Sequence, residues 1–164
     1  MQTLIDSIKA PKLASLPDSS GNLALLLGAL GGRSGSSVGN IPATGKALKA
    51  VTAALSQKGV PYKWGGTAWG KALDCSGLVQ GAYAKAGISI PRTSQAQWAS
   101  GKKVSSANLK AGDLVFFHMG SSGPQHVGMY IGNDNFVESP HTGTAVKVEK
   151  LSTYGGYVGA RRYS

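Results

Sequence analysis

The chain has one cysteine in 164 residues, Cys75. A lone thiol forms no internal disulfide, so the fold is not a disulfide scaffold and must rest on its own core. One Cys and three dispersed His (His118, His126, His141) also lack the ligand spacing of a metal site. No metal and no cofactor is expected. Long apolar runs are missing as well. The longest, Leu23–Leu30, contains a Gly and is far too short to cross a bilayer, so no membrane insertion is expected. It makes a poor secretion signal, because Asp6 and Asp18 precede it and no basic segment leads into it. Acids are scarce: 7 Asp and Glu stand against 17 Lys and Arg, for a formal net charge of +10.

That charge is unevenly placed. Residues 1–41 carry Lys9, Lys12 and Arg33 against Asp6 and Asp18, a net +1, which leaves +9 on residues 42–164. A basic body implies an acidic partner: nucleic acid, an anionic membrane surface or the anionic wall polymers of bacteria. The basic residues are scattered, with only Lys102-Lys103 and Arg161-Arg162 adjacent, and no zinc-finger, RNP or basic-helix pattern is present. Wall polymers are therefore favoured, and no specific nucleic-acid partner is expected.

The composition shifts near residue 41. Gly31–Gly39 is a Gly/Ser-rich linker. Residues 42–164 read as one domain, and residues 1–41 as its tether or as a segment whose leucines dock onto it. Thr44–Lys58 reads as the first helix of the domain, with Leu48, Val51 and Leu55 on one stripe and Lys46, Lys49 and Gln57 outside it. Gly59 stops that helix and Pro61 prevents its resumption. A second helix follows Cys75, and a short one spans Thr93–Ala99. From Asp113 the period becomes that of strands: Asp113–His118, His126–Ile131, Phe136–Glu138, Thr144–Glu149 and Tyr157–Tyr163. His118 reads as a surface residue at a strand end. Helices first and antiparallel strands later make an α+β domain, helices packed on a five- or six-stranded sheet or half-barrel.

Cys75 stands where chemistry is plausible. Asp74 is a good N-cap and Gly87 a good stop, with Leu78, Ala82 and Ala86 at helical spacing between them. The thiol then falls in a helix's first turn, where unpaired N–H groups and the dipole favour thiolate and can receive an oxyanion. Core filler is the competing reading. A nucleophile needs a base, and His126, opening His126-Val127-Gly128-Met129-Tyr130-Ile131-Gly132, is the candidate.

Four blocks in order, Pro61-Tyr62-Lys63-Trp64-Gly65-Gly66, Asp74-Cys75-Ser76-Gly77, Gly112-Asp113-Leu114-Val115-Phe116-Phe117 and the His126 run, resemble the NlpC family of cell-wall cysteine peptidases. The resemblance covers about residues 43–163. It implies a papain-like fold and a peptidoglycan hydrolase that cleaves stem peptides, at the D-γ-glutamyl–diaminopimelate bond, with Cys75 as nucleophile and His126 as base. It also implies that Tyr62 lines the cleft and helps shape the substrate and oxyanion region. Arg92, in Pro91-Arg92-Thr93, falls in a stretch the family keeps near the cleft, although a capped helix start explains it equally well. Asp74 can cap its helix, bind substrate or do both, and Ser76 can serve either way.

The family puts a polar orienting residue twelve positions after the catalytic His, which is Glu138 here. Hairpin geometry leaves this open. A turn centred on Gly132 sets Glu138 across from His126, whereas a favoured turn at Asn133-Asp134 sets His141 there. A bulge can reconcile the second turn with Glu138. The implied site of action is extracellular or at the cell wall, reached as a processed secreted fragment or as part of a phage particle. Two rivals remain: an amidase or acyltransferase on the same Cys–His pair, and a non-catalytic wall-binding or virion module.

Overall fold

The computed structural model describes residues 45–164. The expected tether or docking segment, residues 1–41, lies outside the described residues. Helix α1 runs Gly45–Leu55 and buries Ala50, Val51, Ala54 and Leu55. Gly59, at φ 91°, turns the chain out of the helix, and its N–H reaches the Val146 carbonyl at 2.9 Å. Gln57 corrects the expected polarity. It is buried, 6% exposed, because its side-chain oxygen accepts from the Gly70 N–H at 2.6 Å.

A small hairpin, β1 (Thr67–Ala68) and β2 (Ala72–Leu73), leads directly into α2, Cys75–Lys85. Helix α3, Ser94–Ser100, starts at Thr93, whose hydroxyl caps the Ala96 N–H. Then come β3 (Lys102–Val104), β4 (Leu114–Gly120), β5 (Gly123–Gly132), β6 (Asn135–Glu138), β7 (Lys147–Lys150) and β8 (Tyr157–Arg162). These six form one sheet in the order β3-β8-β4-β5-β6-β7, every neighbour antiparallel. The domain is α+β. The short edge strand β3 and the β1–β2 hairpin carry no alternation that marks them in the sequence.

Strand β4 explains where the core sits. Leu114 and Phe116 join Leu78, Val79, Ala82 and α1 in the helix-facing core. Val115 and Phe117 point the other way, into a second cluster with Val104, Phe136 and Ala160. All four are fully buried, each worth about 1.5–3 kcal/mol. The start of β4 is tied to the end of β8 by a bidentate ion pair, Arg162 Nε to Asp113 Oδ1 at 2.7 Å and Nη2 to Oδ2 at 2.8 Å. The Gly112-Asp113 motif thus anchors the sheet: Gly112 also accepts a bond from the buried Tyr83 hydroxyl.

Candidate active site

Cys75 is the first residue of α2, and Asp74 is its N-cap, accepting the Gly77 N–H at 2.6 Å. This close capping needs a glycine at 77. A Cβ there would stand 2.2 Å from the Gly66 carbonyl oxygen, so the Gly-rich approach lies against the helix start. The first-turn N–H groups of Cys75 and Ser76 have no place in the helix's own bonding ladder. They remain able to receive a negative oxygen.

His126 comes from β5, paired across from Phe117 on β4, and is 7% exposed. Its Nε2 lies 3.0 Å from Glu138 Oε2, which leaves Nδ1 for the Cys75 side. Burial works to lower the imidazole's pKa, but Cys75 and Glu138 together outweigh it and raise it to about 9. Glu138 itself is fully buried. The register of the Asn133-Asp134 turn holds at Gly132 and Asn135, and a bulge changes it beyond. The turn is at Asn133-Asp134, both with positive φ, and a register shift between Tyr130 and Gly132 leaves Met129 opposite Val137. One step further sets Glu138 across from Gly128, so it reaches His126 on the diagonal, a distance long side chains span. His141 is exposed and its Nδ1 donates to the Thr142 carbonyl at 3.0 Å. It lines the cleft without engaging His126.

The remaining expected residues surround Cys75. Arg92 donates to Asp74 Oδ2 at 2.8 Å and to the Ser76 hydroxyl at 2.7 Å. Asp74 therefore holds its helix cap, the Gly65 N–H and a guanidinium at once. Tyr62 is half-buried, and its phenol pKa is raised by burial first and by Cys75 and Asp74 next. All of these line one open cleft of about 880 Å³ together with Cys75 and His126. Among the described residues no three His, Cys, Asp or Glu converge as metal ligands.

Three further residues line the cleft that the sequence reading did not assign to it. Trp64 stands 84% exposed on the rim. His118 is exposed, as expected, but it sits within β4 at φ 58°, short of the strand end, and lines the cleft. Its ring takes the space a Cβ on Gly156 would fill. Tyr154 donates to Glu138 Oε2 at 2.9 Å and stacks on the His126 ring, 6.0 Å between centroids at 21°. In the sequence it is one Tyr in an aperiodic loop, before Gly155-Gly156, with nothing to single it out.

The NlpC/P60 family model matches residues 59–161. The Escherichia coli murein DD-endopeptidase MepH is 42% identical over 125 residues, covering 71% of this chain and 46% of the relative. A Bacillus cereus gamma-D-glutamyl-L-lysine dipeptidyl-peptidase is 43% identical over 110 residues, 64% of this chain and 33% of the relative. The crystal structure of an NlpC/P60 family protein from Bacillus cereus superposes with a TM-score of 0.67 at 39% identity, covering 75% of this chain and 41% of that one. The chain spans less than half the length of these relatives.

Proposed function

The chain belongs to the NlpC/P60 family, and on that premise we propose that it is a cysteine peptidase acting on the stem peptides of bacterial peptidoglycan. The observation that carries this reading is the pairing of a helix-start thiol with a buried His–Glu pair across one cleft. His126 takes the Cys75 proton, and the sulfur attacks the scissile carbonyl carbon. The carbonyl oxygen becomes an oxyanion received by the N–H groups at the start of α2, with the Tyr62 hydroxyl beside it. His126 then gives its proton to the leaving amine as the C–N bond breaks. Water hydrolyses the thioester, returning the thiol. Glu138 orients the imidazole and stabilises its charged form throughout. Asp74, Ser76 and Arg92 form the polar wall that holds the substrate's acyl side.

The bond we propose is D-γ-glutamyl–diaminopimelate, on the strength of the family motifs and the γ-glutamyl activity in the name of the Bacillus cereus relative. The name of the Escherichia coli relative specifies a DD-bond instead. Digestion of purified peptidoglycan followed by mass spectrometry separates the two. New diaminopimelate amino termini support the γ-glutamyl bond, and resolved cross-links with intact stems would move the cut to the DD-bond. No product from the wild-type protein would sink the peptidase reading. In this reading the protein acts at the cell wall, with its anionic polymers as a second partner.

A further inference from the structure

Glu138 is a carboxylate whose two oxygens are treated unequally. Oε2 accepts from both His126 and Tyr154, whereas Oε1 is buried with no partner among the described residues. With one oxygen carrying both bonds, the carboxyl can rotate unless something fixes it. Tyr154 is the group that meets it from outside the strand pair. Its ring lies over His126 and edge-on to Phe136, so the hydroxyl and the imidazole approach the same oxygen from one layer of aromatics.

The placement of Tyr154 has a cause in the sequence. It ends a 3-10 turn, Leu151–Thr153, and that turn is held by Asp134 three times over. The Leu151 N–H donates to the Asp134 carbonyl at 2.7 Å. The Ser152 N–H and hydroxyl donate to the Asp134 carboxylate at 2.9 and 2.5 Å. Asp134 is itself fixed in the β5–β6 turn at φ 64°, where its N–H donates to the Tyr130 hydroxyl.

We propose that Tyr154 is a positioning residue of this site, its hydroxyl orienting Glu138 toward His126, and that Asp134 sets it in place through the Leu151–Thr153 turn. The titratable groups that act on it are Glu138 on β6, Glu149 on β7 and Cys75 at the start of α2, with the His126 ring stacked on it; Lys147 on β7 pairs with Glu149 and His118 on β4 lines the same cleft. The Tyr154 hydroxyl draws charge from the carboxylate, and so tempers how tightly Glu138 makes His126 hold its proton. Without it, His126 should keep its proton to higher pH and give it less readily to a leaving amine.

This inference rests on the peptidase reading, so one measurement is independent of turnover. The first variant is Tyr154→Phe, which keeps the ring. On muropeptides kcat should fall about tenfold or more, the worth of a bond to a charged group, with KM unchanged. The alkaline limb of kcat should move to higher pH. In parallel, the alkaline inflection of Cys75 alkylation by iodoacetamide should shift upward in the same way, whether or not any peptide is cleaved. Asp134→Gly keeps the positive φ and removes the carboxylate. It should lower kcat in the wild-type background and add little to Tyr154→Phe, as coupled sites do. A Tyr154→Phe enzyme with wild-type kcat, an unmoved alkylation profile, or losses that multiply with Asp134→Gly would each overturn the proposal. Inactive wild type with a shifted alkylation profile would sink only the peptidase reading.

Discussion

Burial strips water from the His126 imidazole and disfavours its charge, while Cys75 and Glu138 favour it and win, holding the pKa at about 9. This sets the sign of the pH dependence. A folded-state pKa above the unfolded value of about 6.5 gives stability that is fully present below that value and is lost as pH rises through about 9. In the proposed cycle the leaving amine takes the His126 proton, so hydrolysis should fall over the same upper range. A kcat profile flat from about pH 8 to about pH 10 would contradict the assignment. Cys75→Ala should abolish muropeptide cleavage with the fold unchanged. His126→Ala should be the next most damaging, and Glu138→Ala should cost roughly 10²–10⁴-fold. His141→Ala should cost far less than Glu138→Ala, since the side chain of the exposed His141 hydrogen-bonds to Thr142 in its own loop rather than to His126. The reverse order, read from steady-state rates on one substrate, would show that the orienting group is His141.

The elements legible in the sequence are those whose signals are local. Asp74 as a cap and Gly87 as a stop each act within one turn, and α2 starts and ends beside them; α1 ends at Leu55, earlier than the expected Lys58, and tight turns carry the chain from there to Gly59. The run Leu114–Phe117 is legible as a strand. That both its faces are buried depends on partners far along the chain, so its two-sided burial is not. Register is the least legible feature. A turn at Asn133-Asp134 is one of two compatible with the sequence, but the bulge beyond it depends on how β5 meets β6. That bulge sets Glu138 across from neither residue that the two simple counts name, His126 or Met129, but from the glycine between them and His126's diagonal. The contacts of Tyr154 and His118 depend on that same long-range packing. Gly112-Asp113 shows the converse, a motif visible in the sequence whose structural duty is visible only in three dimensions. Asp113 is 1% exposed and pairs with Arg162 across 49 residues. Asp113→Ala should remove the bidentate bond to a partly exposed guanidinium and destabilise the domain by roughly 1.5–3 kcal/mol. Thermal or urea unfolding would measure it; a loss below about 1 kcal/mol would mean that solvent already satisfies Arg162.

At the scale of the whole domain, each acid among the described residues has a partner within it, and most of the lysines do not. Asp74, Asp113 and Glu149 are each salt-bridged, Glu138 is bound to His126, and Asp134 to Ser152. Among the described residues only Lys147 of the eleven lysines meets an acid at salt-bridge distance. The outward field is therefore positive, consistent with +9 on residues 42–164. Four basic residues come together where β3 meets β8. Their register sets Lys102 across from Arg162 and Lys103 across from Arg161, like charges that oppose pairing. Arg162 is paired with Asp113, whereas Arg161 lies 3.6 Å over the Trp98 ring and keeps its charge, so the two exposed lysines on the edge strand and Arg161 carry the unpaired charge there. The lysines also guard that edge against pairing with another chain. Binding to walls that carry anionic polymers should weaken with salt, since such attraction is screened over roughly 8–10 Å. Replacing Lys102 and Lys103 with Gln should weaken it further while cleavage of soluble stem peptides stays at the wild-type rate, because neither residue lines the cleft. Pelleting with walls stripped of their anionic polymers serves as the reference. Salt-insensitive pelleting, or equal binding to stripped and intact walls, would show that charge does not bring this domain to its substrate.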